Sequence, residues 1–190
     1  MQQVWERIER WLSRNAPTVL VGLHDGATAE EIRRAEGLIG CEFPDVFKQS
    51  QIIHNGARTC SLLEYWDFLS LTEIVTAWNL LRDCYDRGFF EEAQSNPRGP
   101  IRREWWNPRW IPLTSEPSGN HLCMDLAPAD GGQRGQVISW YHDDALRDLV
   151  APTYEAWWEQ LATGLEAGIF FIDEEGVLIR KGGPEDRRIE

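Results

Sequence analysis

Gly99-Pro100-Ile101-Arg102 is followed two residues later by Trp105-Trp106-Asn107-Pro108-Arg109-Trp110-Ile111-Pro112, a long motif of mixed composition in the middle of the chain. It belongs to an irregular, proline-rich segment, residues 91–110, that is too long for an ordinary connection unless it packs or has a role of its own. Three indoles, Trp105, Trp106 and Trp110, make it a packed loop rather than a linker. Burying each ring contributes on the order of 2–3 kcal/mol. Asn107-Pro108 and Pro112 fix its turns, with Asn107 able to bond its own backbone. Arg109 is placed to stack on an indole or pair with an acid. The motif reads first as a wedge against a sheet. Held at the surface instead, Trp105, Trp106 and Arg109 would be interface anchors, since Trp and Arg dominate hot spots.

On the N-terminal side of this loop the pattern is helical. Val4, Trp5, Ile8, Trp11 and Leu12 recur at helical spacing and predict a helix over 2–14, ended by Asn15-Ala16-Pro17. Thr18 to Leu23 is a short apolar stretch before a His24-Asp25-Gly26 turn. Thr28-Ala29-Glu30-Glu31 has the capping-box form, so a second helix starts at 29 and stops at Gly40. Phe43-Pro44-Asp45 opens a third, which ends at Asn55-Gly56. Residues 59–69, with Leu62, Leu63, Tyr65 and Trp66, read as extended. Ser70-Leu71-Thr72-Glu73 is a second capping box, leading a helix over about 72–87.

On the C-terminal side, strands are expected near 109–113, 121–126 and 136–141, separated by Pro117-Ser118-Gly119-Asn120 and Asp130-Gly131-Gly132 turns. Asp143-Asp144 form either an acid pair or the cap of a short helix over 145–149. Thr153 caps a last helix, about 154–167, with Trp157, Trp158, Leu161 and Leu165 as its stripe. Residues 169–179 read as a terminal β-hairpin, and the polar tail from Lys181 to Glu190 is expected to fray. Helices, then consecutive strands, then a helix indicate an α+β domain built on an antiparallel sheet.

Composition narrows the function classes. The 190 residues include ten tryptophans and carry a formal charge of −12, from 31 acids against 19 bases. Such an acid excess argues against direct nucleic-acid binding, which needs Lys and Arg to replace counterions, and suits a basic protein partner. The acids are unevenly placed: nine against four bases over 41–95, twelve against six over 131–190, and four against four over 96–130. No apolar run approaches the ~18–20 residues of a membrane span and the N-terminus lacks a signal pattern, so a cytoplasmic, membrane-free protein is expected. Cys41, Cys60, Cys84 and Cys123 are far apart with no CxxC, and read as reduced thiols.

The order of these segments resembles a known family. Ile8-Glu9-Arg10-Trp11-Leu12, Phe43-Pro44-Asp45, Ile53-His54-Asn55-Gly56, Ser70-Leu71-Thr72-Glu73-Ile74, the tryptophan motif, Gly119-Asn120 with Asp125 and Pro128, and Gly135-Gln136-Val137-Ile138 with His142-Asp143 carry the resemblance. Together they are similar to the fungal cell-wall-assembly-regulator family (Smi/Knr type) of the SUKH superfamily, over residues 5–168. The resemblance implies a central, mostly antiparallel sheet flanked by helices; the domain is expected to span 1–168, with the hairpin and tail of 169–190, which lie beyond the resemblance, as part of the same domain. It implies no catalytic centre and no cofactor. Bacterial members resemble immunity proteins that neutralise polymorphic or contact-dependent toxins, many of them nucleases. Fungal members regulate cell-wall synthesis and signalling through protein contacts.

Two kinds of chemistry are tested against the residues. His121, Cys123 and Asp125 alternate along one strand and so share a face, which with His142 or His54 would suit zinc, but His-x-Cys is not a standard ligand spacing. Hydrolase signatures such as GxSxG, HExxH or a glycine-rich phosphate loop are missing, and Gly131-Gly132-Gln133-Arg134-Gly135 reads as a hairpin loop. The expected protein is therefore not an enzyme and holds no metal. The acids are the better clue: Glu64 and Asp67; Asp83 and Asp86; Asp143, Asp144 and Asp148; and Glu155 and Glu159. The partner surface is expected at Glu64, Asp67, Asp143, Asp144, Asp148, Trp105, Trp106 and Arg109, facing a toxin with a basic surface. Immunity by occlusion of the toxin's site is the leading expectation, and a regulatory or scaffold protein of a cell-wall or signalling pathway is the alternative. Oligomeric state is left open.

Overall fold

Helix boundaries fall where the capping residues place them. The computed structural model describes residues 1–58, 62–64, 66–173 and 176–181. The chain runs through α1 (Gln2–Asn15), α2 (Pro17–Gly22), α3 (Ala29–Ile39), α4 (Asp45–Ile53), β1 (Asp67–Phe68), α5 (Leu71–Asp86), β2 (Asn96–Arg98), β3 (Trp110–Pro112), β4 (Thr114–Ser115), β5 (His121–Asp125), β6 (Gln136–Trp140), β7 (Leu146–Ala151), α6 (Tyr154–Glu166), β8 (Phe170–Ile172) and β9 (Leu178–Arg180). Both expected capping boxes form: Thr28 with Glu31 starts α3, and Ser70 with Glu73 starts α5. Thr153 accepts from the Ala156 N–H at the start of α6. Asn55-Gly56 has a specific task, because Asn55 Oδ1 accepts the Leu71 N–H at 2.8 Å. Gly56, at φ +85, lies where a Cβ would come within 2.5 Å of the Ser70 nitrogen.

The central sheet has the order β2-β7-β6-β5-β3 and is antiparallel except for the β2–β7 pair at one edge. β1 and β4 form a separate two-stranded pair, and β8–β9 a terminal hairpin. This is the expected α+β architecture, a mixed sheet flanked by helices with a C-terminal hairpin. Three elements differ from the sequence reading. Pro17 starts α2 as well as ending α1, since its fixed φ suits the first helical position. β2 lies inside the stretch read as irregular, with Pro97 tolerated because the strand is an edge. Residues 146–151 form strand β7 instead of a short helix over 145–149. The expected extended reading of 59–61 and Tyr65, the thiol state of Cys60 and the fraying of 182–190 lie outside the described residues.

Each sheet face has its own cover. Leu122, Met124, Val137 and Ser139 alternate onto one face, along which α6 runs against β6 and β7. There Trp5 of α1 packs on Trp158 of α6 at 4.4 Å, and Phe47 of α4 on Tyr154 at 5.3 Å. The opposite face carries His121, Cys123, Asp125, Ile138 and Trp140. The tryptophan loop closes over that side: Trp140 Nε1 and Arg147 Nη2 both donate to the Trp105 carbonyl, at 2.8 and 2.9 Å. Trp78 Nε1 of α5 donates to the Pro108 carbonyl at 2.9 Å.

A candidate functional site between the last helix and the terminal hairpin

The terminal hairpin is held against α6 by a missing side chain. Phe170 of β8 lies over Gly164, where a Cβ would sit 2.5 Å from the ring. A second tie links β9 to the loop before β1, the Arg180 N–H donating to Glu64 Oε1 at 3.1 Å. Among the described residues Glu64 is the non-glycine residue at positive φ, +58. That conformation costs an ordinary side chain about 1–2 kcal/mol, so the surrounding contacts must hold it.

Between the hairpin, α6 and the sheet these contacts leave a cleft of about 700 Å³. Its walls are apolar: Leu122 and Val150 from the sheet, Trp157 and Leu161 from α6, and Phe170 and Leu178 from the hairpin. Its polar lining includes three carboxylates, Glu64, Asp148 and Glu159, and one base, Arg180. Their charges are unequally spent. Glu159 is engaged by the Arg7 guanidinium, which also binds Glu166 and Thr163. Asp148 has only a loose ion pair with Arg98, at 3.7 Å across the β2–β7 pair. Burial pushes the Glu64 carboxyl pKa up, partly offset by the Arg180 N–H and its charge. The cleft can therefore receive an apolar group and a cation side by side.

The eight residues expected at a partner surface separate into distinct places. Glu64 and Asp148 line the cleft. Asp67 sits in β1 opposite Ser115, its pKa raised by burial and then by Glu73. Asp143 and Asp144 occupy the β6–β7 turn, where Asp144 Oδ1 accepts the Leu146 N–H at 2.9 Å. Trp105, Trp106 and Arg109 belong to the loop on the other face. Trp106 is 1% exposed and packs with Trp78 and Tyr85, so it is core. Trp105 is half-buried beneath Arg147, and Arg109 is exposed beside Asn107, whose Oδ1 accepts its N–H at 2.7 Å. Of the other acids, Asp83 and Asp86 are paired along α5 with Arg87 and Arg82.

His121, Cys123 and Asp125 do share a face, and all three are buried. Their polar atoms are already committed to structure. His121 Nδ1 donates to the Thr114 carbonyl at 2.7 Å, and its ring stacks on Trp140. Burial pushes the Cys123 thiol well up, away from the thiolate a metal needs. Asp125 accepts from the Ala127 N–H at 2.8 Å and Gln136 Nε2 at 2.9 Å. Among the described residues no three His, Cys, Asp or Glu side chains cluster to hold a metal ion.

Sequence reasoning missed Arg147 and the cleft walls. Arg147 is fully buried in β7, its guanidinium over Trp105 and Trp140, and it donates to the carbonyls of Asp144, Leu146 and Trp105. Burial lowers its pKa to about 10, which leaves it charged at neutral pH. The signal for the cleft was Gly164, a glycine in a helix interior that marks a close approach.

The sequence is similar to known proteins over most of its length. The sequence model of the SMI1 / KNR4 family (SUKH-1) matches residues 26–160. The glucan synthesis regulatory protein of Neurospora crassa is 27% identical, over 90% of this chain and 39% of its own length. The cell wall biosynthesis/cell cycle regulator smi1 of Schizosaccharomyces pombe is 27% identical, over 95% of this chain and 39% of its own. The cell wall assembly regulator SMI1 of Saccharomyces cerevisiae is 24% identical, over 90% and 41%. The chain thus spans about two-fifths of the length of these curated relatives. These relatives are named as regulators, and toxin immunity is not in their names. A match over residues 26–160, most of the chain and inclusive of the tryptophan loop, makes this protein a member of the SMI1 / KNR4 family (SUKH-1).

Proposed function

We propose that this chain is a non-catalytic, protein-binding regulatory domain that works in the cytoplasm without a cofactor, in a pathway of the cell-wall or signalling kind. The observation that carries this reading is the family match over residues 26–160, with relatives that are named regulators of glucan and cell-wall synthesis. The charge of −12 supports a partner with a basic surface, recruited quickly by long-range attraction. No helix of the described residues is long and apolar enough to cross a membrane.

The test is affinity capture with the tagged chain, together with deletion of its gene. The expected result is a stoichiometric complex with an endogenous protein, weakened when salt rises from 0.1 to about 1 M, where the screening length falls from ~10 to ~3 Å. Deletion is expected to change resistance to cell-wall stress. A chain that retains no partner at low salt and whose loss has no phenotype overturns the reading. The same acidity favours one second reading, neutralisation of a toxin. Co-expression with the product of a neighbouring toxin gene separates the two: growth rescue supports immunity, and a deletion phenotype without any toxin supports regulation.

A further inference from the structure

We propose that the cleft between α6, β7 and the β8–β9 hairpin is the docking groove, and that it takes a partner-protein segment carrying an arginine or lysine beside a large apolar side chain. This rests on the protein-binding reading and specifies where and what the domain binds. The cleft's volume, about 700 Å³, lies in the range of ligand pockets and holds more than one large side chain. Its walls, from Leu122 and Val150 to Trp157 and Phe170, offer apolar surface and four aromatic side chains, Trp66, Tyr141, Trp157 and Phe170. That composition matches the buried centre of an interface, where aromatic anchors supply most of the affinity.

Charge complementarity chooses the occupant. Among the described residues Glu64 and Asp148 are only loosely paired: Glu64 accepts the Arg180 backbone N–H with that residue's charge nearby, and Asp148 reaches Arg98 at 3.7 Å. With Glu159 engaged by Arg7, two lining acids face one lining base, Arg180, on a chain of net charge −12. An anionic segment is repelled, and a purely apolar one leaves both carboxylates desolvated beside it. A cation next to the apolar anchor answers both conditions. One wall of the groove, residues 169–180, lies beyond the family-model match over 26–160.

The probes are two arrays of octapeptides, one with Leu or Trp flanked by Arg and a matched one with Glu in place of Arg. They are measured by fluorescence polarisation against the full chain, with indole NMR signals of Trp66 and Trp157 as site reporters. The expected result is binding confined to the basic array, shifts at both indoles, and about tenfold weaker binding in each of Glu64→Gln and Asp148→Asn. Asp83→Asn with Asp86→Asn, on α5, removes two formal charges away from the groove, against one in each groove variant, and is expected to weaken binding less than twofold. Equal binding of the two arrays, or equal weakening by the α5 variant, overturns the proposal. Binding that appears only after removal of residues 182–190 also overturns it, because the chain's own Arg187-Arg188-Ile189 would then be the occupant. If a captured partner binds wild type and Glu64→Gln/Asp148→Asn equally, the groove assignment fails while the protein-binding reading stands. If no partner is captured at low salt and deletion has no phenotype, the reading itself fails.

Discussion

Phe170 rests on the bare Cα of Gly164, at a distance that leaves no room for a methyl group. Gly164→Ala is therefore a test with opposing effects. Alanine favours the helix by about 1 kcal/mol over glycine. It also places a Cβ 2.5 Å from the Phe170 ring, which must lift away. The expected outcome is local: faster amide exchange over 170–172 and 178–180, with global stability unchanged to within about 1 kcal/mol. Hydrogen exchange read by mass spectrometry checks it. Unchanged protection of the hairpin would show that Phe170 does not hold it in place.

Ser50 joins three helices through one oxygen. Its Oγ accepts from Trp5 Nε1 at 2.9 Å and from the Tyr154 hydroxyl at 3.0 Å, and all three residues are buried. Burial pushes the Tyr154 pKa up to about 12, so it remains a donor at any working pH. Ser50→Ala leaves two buried donors without their acceptor, at a cost of about 2–4 kcal/mol. Tyr154→Phe removes one donor and leaves the acceptor served by Trp5, at about 1 kcal/mol. Urea unfolding of both variants gives the two values, and the order is the prediction.

Much of this architecture is legible in the sequence because its signals are local. Thr28-Glu31 and Ser70-Glu73 are complete capping boxes, and both define real helix starts. Strand β7 is illegible for a physical reason: its buried position 147 is an arginine, and a bulge at Val137/Ile138 interrupts the alternation against β6. A buried charge reads as a surface residue until the carbonyls and indoles around it are known. The cleft is hidden for a different reason. It is made by Glu64, Asp148, Trp157 and Phe170 meeting across long chain separations, and no spacing rule encodes that.

Asp125 supplies a pH dependence. Burial raises its carboxyl pKa above the ordinary 3.8, against the Ala127 N–H and the Gln136 amide, which lower it. The folded state thus holds this proton more tightly than the unfolded state does. Its contribution to stability is complete below about pH 3.9 and is lost as pH rises through the folded pKa. Asp125→Asn cannot titrate, and its new NH2 opposes Gln136 Nε2, so it is destabilised at every pH by about 1–3 kcal/mol. The gap between wild type and variant is expected to widen from pH 7 toward pH 4. Paired urea titrations across that window measure it, the other carboxylates cancelling in the difference. A gap that narrows toward pH 4 would place the Asp125 shift in the opposite direction.

Arg147 sets fork geometry against charge. Among the described residues it has no carboxylate in ion-pair contact; three backbone carbonyls and two indoles surround it. Arg147→Lys keeps the buried charge but loses the planar fork and the stacking, and is expected to cost about 2–4 kcal/mol. Arg147→Met deserts the carbonyls of Asp144 and Leu146 but removes the desolvated charge, and under-satisfied carbonyls are the more tolerable orphans. Its expected cost is smaller, about 1–2 kcal/mol. The lysine variant carries a further signature. Burial lowers the pKa of a base, so the unfolded state binds the proton more tightly and stability must rise with pH. Arg147→Lys is therefore expected to recover part of its loss between pH 7 and pH 10, while Arg147→Met shows no such recovery. Lysine tolerated better than methionine at pH 7 would mean that the site solvates its charge.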